Sequence, residues 1–368
     1  MGSFRYVSYA QEVIFAHGAL AGLSQAADRF GWKRLMLCTS SSMKSRGYPQ
    51  RLRDILGERL VAVYDHVQPH VQDLQVEAAQ TLARKHDVDA LIGLGGGSPI
   101  GMAKAVGFRA RRPIIAIPTT YAGSEMTAVY GVTHSRETPP RKVTVSNPRI
   151  APSLVIYDPA LTLDLPPALT ASTGVNALAH CIEALYSKTR NPLSTAAARK
   201  GVEHIHSALH NCYRQGDNLD ARIEMLTGAH LAGFSLASVS MGLHHGLCHV
   251  LGGTVGIPHG IANSIILPHA IRFNADATIS QLLPAAEAME ISFHGTDPTA
   301  SVEGLAQTIS DLIYSMDLPQ RLRDADVSLQ ESDLPHLAQL AFENQTVQNN
   351  PTPVTEPAQI EMLLRNAW

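Results

Sequence analysis

Leu91-Ile-Gly-Leu-Gly95-Gly96-Gly97-Ser98-Pro99 decides how the first half of this chain is read. A short apolar run enters a glycine triplet, and Ser98-Pro99 opens a helical pattern that extends to Val106. A strand that turns on glycines into a helix is the building unit of a parallel α/β sheet. The glycines let backbone N–H groups come close to a diphosphate, and a helix N-terminus directs partial positive charge toward it. Ser98 is placed to cap the helix, with Pro99 in the first turn, where its missing donor costs little. The stretch is neither the GxGxxG fingerprint nor a P-loop. Taken alone, it reads equally well as an ordinary strand-to-helix turn.

On either side of it the same texture continues. Arg34–Cys38, Leu60–Tyr64, Val88–Leu94, Pro113–Ile117 and Leu154–Tyr157 are continuously apolar, and helical patterns such as Val71–His86 separate them. Strands apolar on both faces imply a sheet covered by helices on both sides. After Asp158-Pro159 the strand signals stop and Ala/Leu-rich helical stretches run on, punctuated by Pro166-Pro167 and Asn191-Pro192. The expected organisation is therefore an α/β dinucleotide-binding domain over residues 1–160 and an all-helical catalytic domain over 161–368. Gln345–Thr355 reads as a polar loop before a last short helix.

Composition narrows the classes. The 368 residues are 45% hydrophobic and 17% charged, with 29 basic against 32 acidic side chains. That excludes a disordered chain and leaves no electrostatic footprint for nucleic acid. No apolar run has the roughly 20 residues a membrane span needs. Cys38, Cys181, Cys212 and Cys248 form no CxxC pair, and no secretory leader is evident, so the expected setting is the reducing cytoplasm.

A second loop supports a nucleotide. Pro118-Thr119-Thr120-Tyr121-Ala-Gly123-Ser124-Glu125-Met-Thr127 carries a strand into hydroxyl residues at a strand's C-terminal end, where α/β sheets bind ligands. Thr119, Thr120, Ser124 and Thr127 join Gly95, Gly96, Gly97 and Ser98 as expected cofactor contacts. Thr39 and Ser40 end an earlier strand with hydroxyls only, and Lys44 lies nearby. No carboxylate there repels a 2′-phosphate, so NADPH is expected to serve as well as NADH.

Histidine is the residue type that stands out, with 17 copies. Asn176 and His180 are four apart, as are His245 and His249, so each pair shares a helix face. His259 sits in a Pro-His-Gly turn, and His244 and His269 are close in sequence. Three neutral imidazoles with one oxygen make an adequate divalent-metal site, although asparagine brings no charge to the cation. The same imidazoles can instead carry protons.

These segments together resemble the iron-containing (group III) alcohol dehydrogenase superfamily. The resemblance lies in GGGS, PTTYAGSEMT, NALAHCIEALY, HHGLCHVLGG with PHG, and the Asn350-Pro-Thr-Pro-Val-Thr355 stretch. It implies the dehydroquinate synthase-like fold of that family, with the active site in the cleft between the two domains. Within it the maleylacetate reductase branch is nearest, on Tyr121-Ala-Gly-Ser-Glu-Met126, on Gly101 and on Asn176, each at a place where the alcohol dehydrogenases differ. Gly246 departs from the lysine common in that branch, and Pro258-His-Gly-Ile-Ala-Asn263 is closer to the alcohol dehydrogenases.

By position the resemblance assigns Asn176, His180, His245 and His259 to the family's metal site. It places His249 beside the nicotinamide and Lys142 near the cofactor. It implies a homodimer reducing the C=C bond of maleylacetate to 3-oxoadipate with NADH or NADPH in aromatic-compound breakdown. His249, His245 and Tyr121 are the expected hydrogen-bond or proton donors, and Asn176 points to turnover without a metal. The alternative expectation is a metal-dependent (Fe or Zn) alcohol or glycerol-type dehydrogenase. A nucleotide-binding protein without hydride chemistry is the third.

Overall fold

The computed structural model describes residues 4–134, 141–291, 298–325 and 327–368, with Arg141 and Lys142 described by their backbone alone. The chain divides into two units: Ser8–Leu165, and Pro166–Trp368 joined by the N-terminal residues 4–7. The division falls just past residue 160.

In the first unit, β1 (Glu12–Phe15), β2 (Leu35–Cys38), β3 (Leu60–Tyr64), β4 (Ala90–Gly95), β5 (Ile114–Pro118) and β8 (Leu154–Tyr157) form one sheet. Its order is β1-β8-β5-β4-β2-β3, and every pairing is parallel. The intervening β6 (Val129–His134) and β7 (Arg141–Ser146) pair antiparallel as a separate ribbon. The helices are α1 (Leu23–Phe30), α2 (Ser41–Ser45), α3 (Tyr48–Leu56), α4 (Asp73–Lys85) and α5 (Gly97–Ala110).

Side chains alternate across the sheet as the strand period requires. Leu35, Leu37, Ile92, Leu94, Ile115, Ile117, Leu154 and Ile156 build the core of one face. Met36, Cys38, Leu91 and Ile114 build that of the other. Both sets are buried, which is why these strands read as unbroken apolar runs. The chain passes from β2 to β3 on one side and then returns past β2 to β4. That reversal opens a crevice at the C-terminal ends of β2 and β4, the place where open α/β sheets take ligands.

The second unit is helical: α6 (Pro167–Tyr186), α7 (Pro192–Arg214), α8 (Leu219–Ser238), α9 (Leu243–Thr254), α10 (His259–Ala288), α11 (Pro298–Ser315), α12 (Leu334–Phe342), α13 (Gln345–Gln348) and α14 (Pro357–Asn366). Leu247, Leu251, Ile265, Ile266, Leu337, Val347 and Leu363 hold α9, α10, α12, α13 and α14 on one core. The short α13 occupies the start of the expected Gln345–Thr355 loop. Among the described residues no single helix is long and apolar enough to cross a membrane.

Candidate active site

The glycine loop joins β4 to α5 at the crevice. Gly95 has φ of 139°, and a Cβ there would lie 2.8 Å from Pro99 Cγ, so only glycine fits the turn. Ser98 does not cap the helix as expected. α5 begins at Gly97, its N-cap is Gly96, and no side chain caps it. The first-turn N–H groups of Gly97 and Ser98 therefore await an acceptor from outside the helix, an arrangement that suits an anion. The two expected nucleotide loops meet: Thr119 N–H donates to Gly95 O at 3.0 Å, and Thr120 Oγ1 stands 3.3 Å from a Cβ built on Gly96.

Not every expected hydroxyl faces outward. Thr39 Oγ1 is buried and donates to Leu94 O at 2.8 Å. Thr127 Oγ1 is enclosed too, donating to Ser124 O at 3.0 Å while Lys104 Nζ donates to it, also at 3.0 Å. Tyr121 has no solvent exposure at all. Ser40 serves as the N-cap of α2, accepting from Met43 N–H. The end of β2 also has a carboxylate that the reading of that strand alone missed. Asp65, just past the neighbouring β3, pairs with Lys44 at 3.0 Å, so hydroxyls are not its only polar groups. The side chain of Lys142 lies outside the described residues.

In the helical unit, Asn176, His180 and Glu183 follow one face of α6, and His245 and His249 follow one face of α9. The imidazoles form a chain. Ring centroids lie 4.8 Å apart for His180–His245, 6.0 Å for His245–His259 and 5.8 Å for His249–His259. The Pro-His-Gly turn has a packing reason: a Cβ on Gly260 would lie 2.8 Å from Ser172 Cβ, so α10 starts pressed against α6, one turn from Asn176. His269 stands apart, lining a cavity of about 190 Å³ with Arg272, Gln307 and Arg321.

Glu183, unassigned by the sequence, organises the cluster. It is fully buried, and its Oε1 accepts from Gly242 N–H at 3.0 Å. Its Oε2 accepts a hydrogen bond from His245 Nδ1, and His244 Nδ1 lies 3.6 Å away. Burial works against its charge, but the His245 and His244 imidazoles hold the carboxyl well below its usual range. Burial pushes His180 well down, with His245 adding to the effect, and burial lowers His245 as well. Burial thus favours the uncharged form of both. His244 moves the other way: burial opposes its charge, and Cys248 and Glu183 outweigh burial. A neutral His245 with its proton on Nδ1 presents a bare lone pair at Nε2. That nitrogen and His180 Nδ1 are buried with no hydrogen-bond partner among the described residues.

The N-terminus of α9 is closed by distant residues. Leu243 N–H donates to Asn350 Oδ1 at 3.1 Å, beside the Gly242 bond to Glu183. Asn350 is itself held by Asn274, whose Oδ1 accepts from Asn350 Nδ2 at 2.7 Å. The Asn350-Pro-Thr-Pro-Val-Thr355 stretch thus aligns the histidine helix.

The model for the iron-containing alcohol dehydrogenases matches residues 10–159, and that for the C-terminal part of the Fe-containing family matches residues 170–368. The chain belongs to the iron-containing alcohol dehydrogenase family. The maleylacetate reductase of Pseudomonas knackmussii is 36% identical to it, over 97% of this chain and 95% of that one. That of Burkholderia cepacia is also 36% identical, over 100% and 98%. Among solved structures, the maleylacetate reductase of Agrobacterium tumefaciens superposes with a TM-score of 0.88 at 32% identity, over 100% of this chain and 99% of that one. A 1,3-propanediol oxidoreductase superposes at 0.94 with 29% identity, each chain covered completely.

Membership of the iron-containing family implies a divalent ion. Among the described residues, the group whose donor atoms lie within 4.8 Å of one another is Glu183, His244 and His245, while His245 Nε2 and His180 Nδ1 are buried without a hydrogen-bond partner. The carboxylate behind His245 is the usual support of a ligating imidazole. Glycine rather than lysine at position 246 has a packing explanation: a Cβ there would lie 2.4 Å from Val347 Cγ2. α13 fills the space a longer side chain would need.

Proposed function

We propose that this chain is a maleylacetate reductase, using NADH or NADPH to reduce the carbon–carbon double bond of a conjugated oxo acid. Its likeness to curated maleylacetate reductases over 97% of its length carries the reading. The Ser8–Leu165 unit is the proposed nucleotide-binding domain and the helical unit the proposed catalytic one. The N–H groups of Gly97 and Ser98, together with Thr120 and Ser124, would hold the cofactor diphosphate and ribose. The working unit proposed is a cytoplasmic homodimer serving aromatic-compound breakdown.

In the proposed reaction, hydride leaves the nicotinamide for the alkene carbon β to the ketone. The alkene electron pair shifts to form an enolate, and a proton then adds to the α carbon. Negative charge gathers on the ketone oxygen, where hydrogen-bond donors stabilise it. His249 is exposed and is the proposed proton donor. His245, whose Nδ1–H donates to Glu183, offers Nε2 as an acceptor or ligand rather than as a donor.

Asn176, His180, His245 and His259 would hold a divalent Fe or Zn ion, which when bound polarises a substrate oxygen. The expectation of metal-free turnover rests on Asn176 and on the resemblance to the reductase branch. The two buried nitrogens without partners favour the second reading, a metal-dependent alcohol dehydrogenase.

Oxidation of NAD(P)H followed against maleylacetate, simple aldehydes and 1,3-diols tests the choice. The first reading requires turnover of maleylacetate, and activity confined to aldehydes or diols replaces it with the second. Metal analysis of protein purified without chelator, with activity assayed before and after EDTA, tests the ion.

A further inference from the structure

Lys104 lies on α5, about two turns beyond the glycine loop, and has no solvent exposure. Its Nζ donates to Ser124 O at 2.5 Å, to Thr127 O at 2.7 Å and to Thr127 Oγ1 and Val129 O at 3.0 Å. All four acceptors lie in Ser124–Val129, a single 3-10 turn that runs into the start of β6. Three of them are main-chain carbonyls; Ser124 O also accepts from Thr127 N–H at 3.2 Å, and enclosed carbonyls without enough donors are costly. The ammonium supplies those donors, as water would on an exposed loop.

Other groups pin the same segment. Tyr157 OH, at the end of β8, donates to Glu125 Oε1 at 2.8 Å, and Gln11 Nε2 donates to Glu125 O at 3.2 Å. Glu125 is itself buried, and burial raises its carboxyl. Burial pushes Lys104 down to about 7, with the Glu125 charge opposing. That value suits a general base, but a group enclosed by four oxygens and closed to solvent has no route to a substrate. Nor does packing explain it, since methionine would fill the same volume without the desolvation cost of an ammonium.

We infer that Lys104 is a positioning residue of the nucleotide site: it ties α5, whose first turn follows the glycine loop, to the Ser124–Thr127 loop, so that both present their polar groups in one fixed arrangement. The inference rests on the nucleotide-binding reading of these loops. Lys104 itself touches no cofactor; it acts through the carbonyls it gathers.

The test uses the full chain and two substitutions, Lys104→Met and Lys104→Gln, with NADH and NADPH affinity measured by nicotinamide fluorescence and confirmed by steady-state kinetics. The expected result is a Kd and a KM for the nucleotide raised about tenfold or more, a loss of roughly 1.4 kcal/mol. At saturating nucleotide, kcat and the KM for the oxo acid stay within about twofold, a split that general destabilisation does not produce. Folded variants with wild-type Kd would overturn the inference. So would a large fall in kcat at saturation, which assigns Lys104 to the chemistry, or failure of both variants to fold, which makes it a determinant of the whole fold. Wild-type protein that binds neither nucleotide removes the underlying reading instead, and the two failures are distinct.

Discussion

The carboxylate of Glu183 accepts the Nδ1 proton of His245, and that bond fixes which nitrogen of the imidazole is left to work. With the proton on Nδ1, Nε2 enters the site as a lone pair. Glu183→Gln keeps the shape and removes the charge. Turnover is expected to fall ~10–100-fold, as for other carboxylates behind functional imidazoles. Nucleotide affinity should hold, since Glu183 lies on α6. Kinetics beside a nucleotide titration measure both, and unchanged turnover would show that the bond has no mechanistic weight.

His249 is the exposed member of the imidazole chain. His249→Ala should lower kcat by ~100-fold or more, the usual contribution of a positioned proton donor. The loss should be partly restored by added imidazole, which separates proton transfer from packing. Nucleotide Kd should not move.

Gly246 and Val347 test the packing that separates this chain from the lysine-bearing pattern. Gly246→Ala places a methyl 2.4 Å from Val347 Cγ2, and overpacking of that kind costs ~1–3 kcal/mol. Gly246→Ala with Val347→Ala should recover part of it. Denaturant midpoints of the two singles and the double give the coupling, and strict additivity would mean that the two side chains do not meet.

His269 supplies a pH dependence. Burial, with Arg272 adding to it, lowers its pKa to about 4. The unfolded imidazole titrates near 6.5, so between those values the unfolded chain binds more protons and stability rises with pH. The contribution is complete above about pH 6.5 and is lost as pH falls toward 4, on the order of 3 kcal/mol in all. In His269→Gln the stability–pH curve should be flatter over that window, and an unchanged slope contradicts the assignment.

Asn176→Asp adds the charge that this position lacks. Metal affinity should rise by about tenfold or more, because a carboxylate offsets the cation where an amide does not. Equilibrium dialysis against Zn(II) reads it directly. Equal affinity in the two proteins would place residue 176 outside the donor set.

The strands of the sheet were legible where both faces are buried. Leu154–Tyr157 matches its apolar run end to end, and so does the edge strand Leu60–Tyr64, whose outer face is half-buried but still apolar. β1 escaped because it is a short edge strand whose four residues are all half-buried, and the β6–β7 ribbon because glycine and polar residues such as Gly131, Thr133 and Thr144 break its apolar run. The histidines could be gathered from spacing, but their order along the imidazole chain could not. Glu183 and Lys104 escaped for a common reason. Each is a charge at ordinary helical spacing, the kind of residue that normally faces water. A signal was present nonetheless: Lys104 is the one charge among the apolar and small residues of Gly97–Gly107, and Glu183 the one carboxylate in Val175–Tyr186, whose other polar residues are Asn176 and His180. A lone charge inside an apolar helix must find its partner indoors.

Leu243 and Asn350 are bonded across 107 positions of chain. A nascent chain halted before Asn350 already carries His180, His245, His249 and His259. It does not yet carry the amide that closes the first turn of α9, the helix of His245 and His249. The alignment of that helix therefore waits on a residue made long after its imidazoles.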